Sequence, residues 1–390
     1  MKDFQTAELI MSEYAVNTGL LDLGEHSKRY LWTDAFAVCN FLELYCQTKN
    51  EYYKKMALLL VDSVHSSLGH YHDNDKRRGW ISGLNDGSEH PTIGGLRIGK
   101  TLLERAPGEA YDQRKEWERD GQYFHYLTKW MHALNQVAIV TQEEKYNRWA
   151  IELAKTAHKA FTHETRNGKR ICWKMSTDLS RPMVTAMGQH DALDAFINYL
   201  QLSATAADFG EVSELSRETE EMRMMLRLMP LETEDPLGVS SLLHAASATA
   251  QLIAVHGLAS EKLLISLLNA AYNGIERFVR GGILEQQVKY RLSFRELGLS
   301  IGLHALEIIR NTLEEYPDKF EQKELIAEVL SRFEKHTSLS ETIEKFWLHP
   351  KNQENGIWGK DIDINNVMLA TSLVPNGFLK TSMPNLNVSR

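Results

Sequence analysis

Residues 239–255, VSSLLHAASATAQLIAV, and residues 143–161, EEKYNRWAIELAKTAHKAF, are the stretches whose reading decides the fold. The first carries Leu242, Leu243, Ala245, Ala246, Ala248, Ala250, Leu252, Ile253 and Val255 and no full charge. A helix made from it has no wet face and must be covered on every side. The second sets Tyr146, Trp149, Ala150, Leu153, Ala157 and Phe161 at helical spacing, with Glu144, Arg148, Glu152, Lys155 and Lys159 opposite. That helix has one apolar stripe and needs cover on one side only.

The same alternation runs through the whole chain. Apolar helices are predicted at 33–47, 121–139, 190–208, 239–255, 292–311 and 361–374, and striped helices at 3–18, 51–67, 143–161, 211–228, 259–279 and 321–338. The economical packing places six inner helices inside six outer ones, an all-α (α/α)6 toroid forming a single domain over residues 1–390. Strands are expected only as short β-hairpins in the long joins, near 70–82 and 168–175, the second around the turn Asn167-Gly168.

Composition narrows the partners. With 390 residues, 43% hydrophobic content and no Pro/Gly/Ser-rich linker, nothing suggests separate units. A net charge of −8 with scattered Lys and Arg argues against nucleic acid. The opening MKDFQTAELIMSEY lacks the apolar core of a signal peptide, and no apolar run is read as reaching the roughly 20 residues that span a bilayer. A cytoplasmic protein with no membrane partner is expected.

Several patterns resemble cofactor sites and fall short. Cys39, Cys46 and Cys172 have no metal-ligand spacing and are read as buried free thiols. Asp73-x-Asp75 is followed by Lys76 and Arg77, and Asp361-x-Asp363-x-Asn365 lacks the later Gly and acid of a calcium loop. His70-x-His72 has no identifiable third ligand, and Gly94-Gly95-Leu96-Arg97-Ile98-Gly99-Lys100 has neither the spacing of a P-loop nor a strand before it. No metal and no other cofactor is expected.

The joins locate the chemistry. Short joins follow the inner helices and long ones precede them, so the long loops gather at the inner helices' N-terminal ends, where exposed N–H groups and positive dipole ends collect. Functional sites favour loops held on a rigid scaffold. The six entrances read Trp32-Thr33-Asp34, Asp120-Gly121-Gln122-Tyr123-Phe124-His125, Gln189-His190-Asp191, Ser240-Ser241 with His244, Arg295-Glu296, and Asp361 with Asp363 and Asn365. Asp34, Asp120, Ser240 and Asp361 serve equally well as N-caps. His125, His190, Arg295 and Glu296 exceed what capping requires.

Trp32, Trp80 and Tyr123 offer flat faces to the C–H side of a pyranose, or else only pack their loops. Arg97, His125, His244 and Arg295 join them as candidates for binding substrate. His190, backed by Asp191 or Asp194, is the leading acid/base, because imidazole titrates near neutrality. Glu296 beside Arg295 is the opposing carboxylate, and Asp34, Asp120, Asp191 and Asp361 complete the pool for a two-carboxylate glycosidase.

Leu31-Trp32-Thr33-Asp34-Ala35-Phe36-Ala37, running into Phe41-Leu42-Glu43-Leu44-Tyr45 and then Glu51-Tyr52-Tyr53, resembles the first repeat of the N-acylglucosamine 2-epimerase and cellobiose 2-epimerase group. That group belongs to the six-hairpin (α/α)6 superfamily, which also holds many glycosidases. Gly188-Gln189-His190-Asp191-Ala192-Leu193-Asp194 is similar to the epimerases' Pro-Gly-His-x-x-Glu element, whose His is an acid/base. Here Gln189 separates Gly from His, the acid lies four residues beyond His190, and the epimerases' C-terminal Arg-Glu-x-x-His element has no match. The resemblance implies a carbohydrate-active enzyme that hydrolyses or epimerises a small saccharide, and is compatible with a homodimer. A toroid enzyme on a terpenoid- or peptide-type substrate, and a non-catalytic binding protein, stay open.

Overall fold

In the computed structural model, residues 2–21, 27–166, 168–354 and 356–381 are described. The chain is 65% helical, and its longer helices fall where the apolar spacing puts them. In chain order they are α1 (Lys2–Asn17), α2 (Leu31–Thr48), α3 (Glu51–Leu68), the short α4 (Gln113–Glu118), α5 (Phe124–Thr141), α6 (Glu144–Phe161), α7 (Asp191–Asp208) and α8 (Ser216–Leu226). There follow α9 (Pro236–His256), α10 (Glu261–Arg280), α11 (Ser293–Glu315), α12 (Lys323–Ser331), α13 (Leu339–Leu348), the short α14 (Pro350–Gln353) and α15 (Gly356–Lys360), α16 (Ile362–Leu373) and the short α17 (Asn376–Leu379). The fold is all-α, and apolar and striped helices succeed one another in the order of the (α/α)6 plan.

Local chemistry sets the helix ends. The Asp235 carboxylate accepts the Gly238 N–H at 3.2 Å, and Pro236 occupies the first turn of α9, where its missing N–H costs nothing. Gly257, at φ 65°, closes the same helix: its N–H reaches Ile253 O, and the Leu258 N–H reaches Leu252 O.

The chain divides into two compact units. One comprises Ala15–Leu42 and Asn50–Met229. Within it α5 packs on α6 and α7, and α7 packs on α8. Its strands are β1 (Gln122–Tyr123), β2 (Thr162–Thr165), β3 (Gly168–Ile171), β4 (Lys174–Met175) and β5 (Pro182–Val184), joined antiparallel as β1-β4-β5 and β2-β3. The expected hairpin at 70–82 is reduced to one bridge, His70 to Trp80, flanked by bonds from Tyr71 N to Gly79 O and from Ile81 N to Gly69 O. The second hairpin is β2-β3, while its turn residue Asn167 lies outside the described residues.

The other unit comprises Met1–Tyr14, Glu43–Lys49 and Pro230–Arg390. Here α9 lies against α10 and α11, and α11 packs on α13 and α16. Four expectations change in the structure. The striped helix at 211–228 is shortened to Ser216–Leu226, and the one at 321–338 gives way to a 3₁₀ turn at Arg332–His336. The segment 339–360, read as a loop, holds α13, whose Leu339, Ile343 and Trp347 recur every fourth residue and are buried. Finally, α9 is long and apolar enough by length and composition to cross a membrane, with 83% of that stretch buried in the structure. Its Ser, Thr, Gln and His are outweighed by Ala, Leu, Ile and Val, which is why the run outlasts the sequence reading.

Candidate active site

Within the unit that holds them, the N-terminal ends of α2, α5 and α7 meet. Trp32, near the start of α2, lies 6.2 Å from His125 and 5.5 Å from Tyr126 between ring centroids, and both of those residues open α5. The Tyr30 and Tyr126 hydroxyls are 2.6 Å apart. One turn into α5, Lys129 pairs with Asp194 on α7 at 2.8 Å. Asp194 also lies within electrostatic reach of His125 and of Asp191.

Backbone pairing brings Trp173 into this group. Its carbonyl accepts the Phe124 N–H at 3.2 Å, and its own N–H is held by Val184 O and Ala186 O. The indole ring lies 5.7 Å from His125, inclined by 19°, and donates from Nε1 to His125 Nδ1 at 3.0 Å. Gln122, fully buried on β1, braces the loops alongside. Its amide oxygen accepts the Leu96 N–H, and its amide nitrogen donates to Gly94 O and Thr177 O. Gly95 stands at φ +73° with the Gln122 amide where a Cβ would go, so the glycine pair that resembled a phosphate loop has a packing reason.

The electrostatics single out two groups. Burial pushes the Asp191 carboxyl up to about 7, assisted by the neighbouring Asp194 and opposed by the Gly188 N–H and Lys129. That N–H meets Asp191 Oδ2 at 2.7 Å, and a Cβ on Gly188 would sit 2.6 Å from the carboxylate oxygens, so only glycine admits the contact. Burial likewise holds His125 down at about 3, with Asp194 opposing and Lys129 reinforcing. Tyr30, His125, Tyr126, Trp173 and His190 nonetheless keep part of their surface open, so a partly exposed cluster of aromatic and polar groups stands at these helix ends.

The sequence-predicted residues divide accordingly. His190 is the half-buried N-cap residue of α7, next to Asp191, and its side chain makes no capping bond. Trp32 and Tyr123 adjoin this cluster with their faces occupied, at 8% and 3% exposure, by Phe36, His125, Tyr126 and Trp173. Asp34 is buried and reaches back to the Tyr30 N–H at 2.9 Å and to Arg29. Arg97 is spent on Asp120 and on the carbonyls of Ser67 and His70. Trp80 packs against His70, with ring centroids 4.0 Å apart and the planes tilted by 41°, and lies against Gly69 and Gly87. Arg97 and Trp80 hold loops.

His244, Arg295 and Glu296 lie in the other unit. His244 packs against Phe378, with ring centroids 4.7 Å apart and the planes tilted by 30°. The expected partnership of Arg295 with Glu296 does not form, because successive helical residues point some 100° apart. Arg295 pairs with Asp235, while Glu296 is buried in a two-pronged contact with Arg291 and accepts Trp347 Nε1 at 2.9 Å. Of the calcium-like pattern, Asn365 is used by Ser293 and Trp358, and Asp75 is held by Arg77. Among the described residues no group of three or more His, Cys, Asp or Glu is placed to hold a metal ion.

Sequence reasoning missed Tyr30, Tyr126, Lys129 and Trp173. Lys129 carried a signal: it is the one formal charge in α5 and stands one turn beyond His125, on the same face. A cavity of about 280 Å³ in the same unit is lined by Arg105, Glu109, Tyr111, Lys115, Glu116 and Arg119 among others. Its arginines are already paired, Arg105 with Glu116 and Arg119 with Glu109, and none of the predicted site residues lines it.

The chain matches no protein-family model and no curated protein. Among solved structures it is similar to a sugar epimerase from a ruminal bacterium, with 9% identity, 89% of each chain covered and a TM-score of 0.48.

Proposed function

We propose that the cluster at the N-terminal ends of α2, α5 and α7 is the active site of a carbohydrate-active enzyme, in which Asp191 gives and takes protons on a small saccharide. The observation that carries this reading is the Asp191 carboxyl, buried and poised at about 7, with a charge-paired Asp194 one turn along the same helix. Two carboxyl groups with environments this different suit a division of labour between a proton carrier and a fixed charge. A group that titrates near neutrality is the most effective proton carrier at neutral pH.

The surrounding residues then have definite tasks. Lys129 neutralises Asp194 and keeps a second uncompensated charge away from Asp191. The half-open Tyr126, Trp173 and His125 provide aromatic edges and hydrogen-bonding groups for a ring rich in C–H and O–H. His190, the sequence's leading acid/base, flanks Asp191 at the mouth of α7, and in this reading the proton transfer passes to Asp191. Hydrolysis and epimerisation both need such a group. Glu296, enclosed by Arg291 and Trp347, takes no part in this site.

Saturation-transfer NMR with a set of mono- and disaccharides tests the reading. Transfer to sugar C–H protons is expected with the wild type and at least tenfold weaker affinity with Tyr126→Ala, on the order of 1–2 kcal/mol for one aromatic contact. No transfer from any sugar, or binding untouched by the substitution, would overturn it.

A further inference from the structure

We infer that Trp173 is a positioning residue that locks His125 in its Nε2–H tautomer, so that His125 serves as a fixed hydrogen-bond donor to a substrate oxygen and never as a base. The chemistry is that of two rings. An indole N–H can only donate, and the nitrogen facing it at 3.0 Å is His125 Nδ1, which must therefore present its lone pair. In a neutral imidazole the proton then resides on Nε2. Adding a second proton would point an Nδ1–H at an indole N–H, so the lock also opposes the imidazolium.

The frame around the pair is stiff enough to enforce this. Trp173 is anchored on both backbone sides, through Phe124 on one and Val184 with Ala186 on the other. Trp117 braces the indole edge-on, with ring centroids 4.7 Å apart at 80°. The charged groups within reach of His125 are Asp194 on α7 and Lys129 on α5, tied to each other. Tyr123 and Tyr126 flank the ring, and Trp32 approaches it from α2. Among the described residues none offers His125 a second acceptor, while its half-open surface leaves room for one brought by a ligand. A carbonyl or hydroxyl oxygen meets that requirement. Only the identity of that oxygen as a saccharide's rests on the function proposed above.

¹⁵N-histidine labelling of the full chain tests the lock, with the His125 signals identified by their loss in His125→Gln. The wild type is expected to show a protonated Nε2 and a bare Nδ1, unchanged from pH 5 to pH 8. Trp173→Phe keeps an aromatic ring and removes the donor. It should populate both tautomers and bring His125 into titration within that range. A proton on Nδ1 or a titrating ring in the wild type would overturn the inference, as would an unaltered pattern in a folded Trp173→Phe. Should that variant fail to fold, the Trp173 indole proton of the wild type reads the same contact: a downfield shift supports donation to nitrogen, and an ordinary shift contradicts it. A locked ring in a protein that ignores every saccharide would sink the sugar reading and leave this one standing.

Discussion

Lys129 Nζ on α5 stands 2.8 Å from Asp194 Oδ2 on α7, with side-chain exposures of 6% and 8%. Each is a buried charge, and each makes the other tolerable. The pair ties α5 to α7 at the level of the proposed site and fixes the charge that Asp191 faces.

Removing one partner leaves the other buried and uncompensated. Lys129→Met is expected to destabilise the protein by about 3–5 kcal/mol in urea unfolding. Lys129→Met/Asp194→Leu should recover most of that loss. A double variant no more stable than the single one would show that the pair is not what matters at this position.

The Asp191 carboxyl gives stability a defined pH dependence. Its value is raised from 3.8 to about 7 on folding, so between those limits the folded protein holds a proton that the unfolded chain releases. The stabilisation is fully present below about pH 4 and is lost as pH rises to about 7. Asp191→Asn mimics the protonated form and should remove this loss. Relative to wild type, the variant is expected to gain on the order of 4 kcal/mol between pH 4 and pH 8 in parallel urea titrations. Parallel curves for the two proteins would contradict the assignment.

Glu296 separates a packing role from a chemical one. Its carboxylate is enclosed by Arg291 and by the Trp347 indole, both deep in their unit. Glu296→Gln should therefore lower Tm markedly, with a loss of about 3 kcal/mol, while Arg295→Gln at a half-exposed pair should cost less than about 1 kcal/mol. Equal, small losses in both would restore Glu296 as a candidate for chemistry.

Helix positions were legible because burial writes itself into hydropathy. The wet and dry faces of 143–161 and the dry run of 239–255 could only become α6 and α9. Partnerships were less legible. Arg295 and Glu296 adjoin in sequence and part on the helix, and Arg291, four residues earlier than Arg295, takes the carboxylate because of a turn that no periodicity reveals. The proposed site was legible through Trp32, His125 and His190-Asp191, which the sequence had gathered at helix N-termini. Trp173 was not: it reaches His125 through β1-β4 pairing of two-residue strands, too short to leave an alternating pattern. Whether Trp32 or Tyr123 stands open to a sugar is likewise a matter of tertiary cover, and in both cases neighbouring rings supply it.

The most direct test of the acid/base claim is the pH dependence of turnover on a panel of reducing sugars and aryl glycosides, read for both epimer formation and released aglycone. The wild type should act on at least one of them, with a limb of its rate profile near pH 7 set by Asp191. Asp191→Asn should fold and lose on the order of a hundredfold or more in kcat. Full turnover in Asp191→Asn, with the limb near pH 7 intact, would contradict the account.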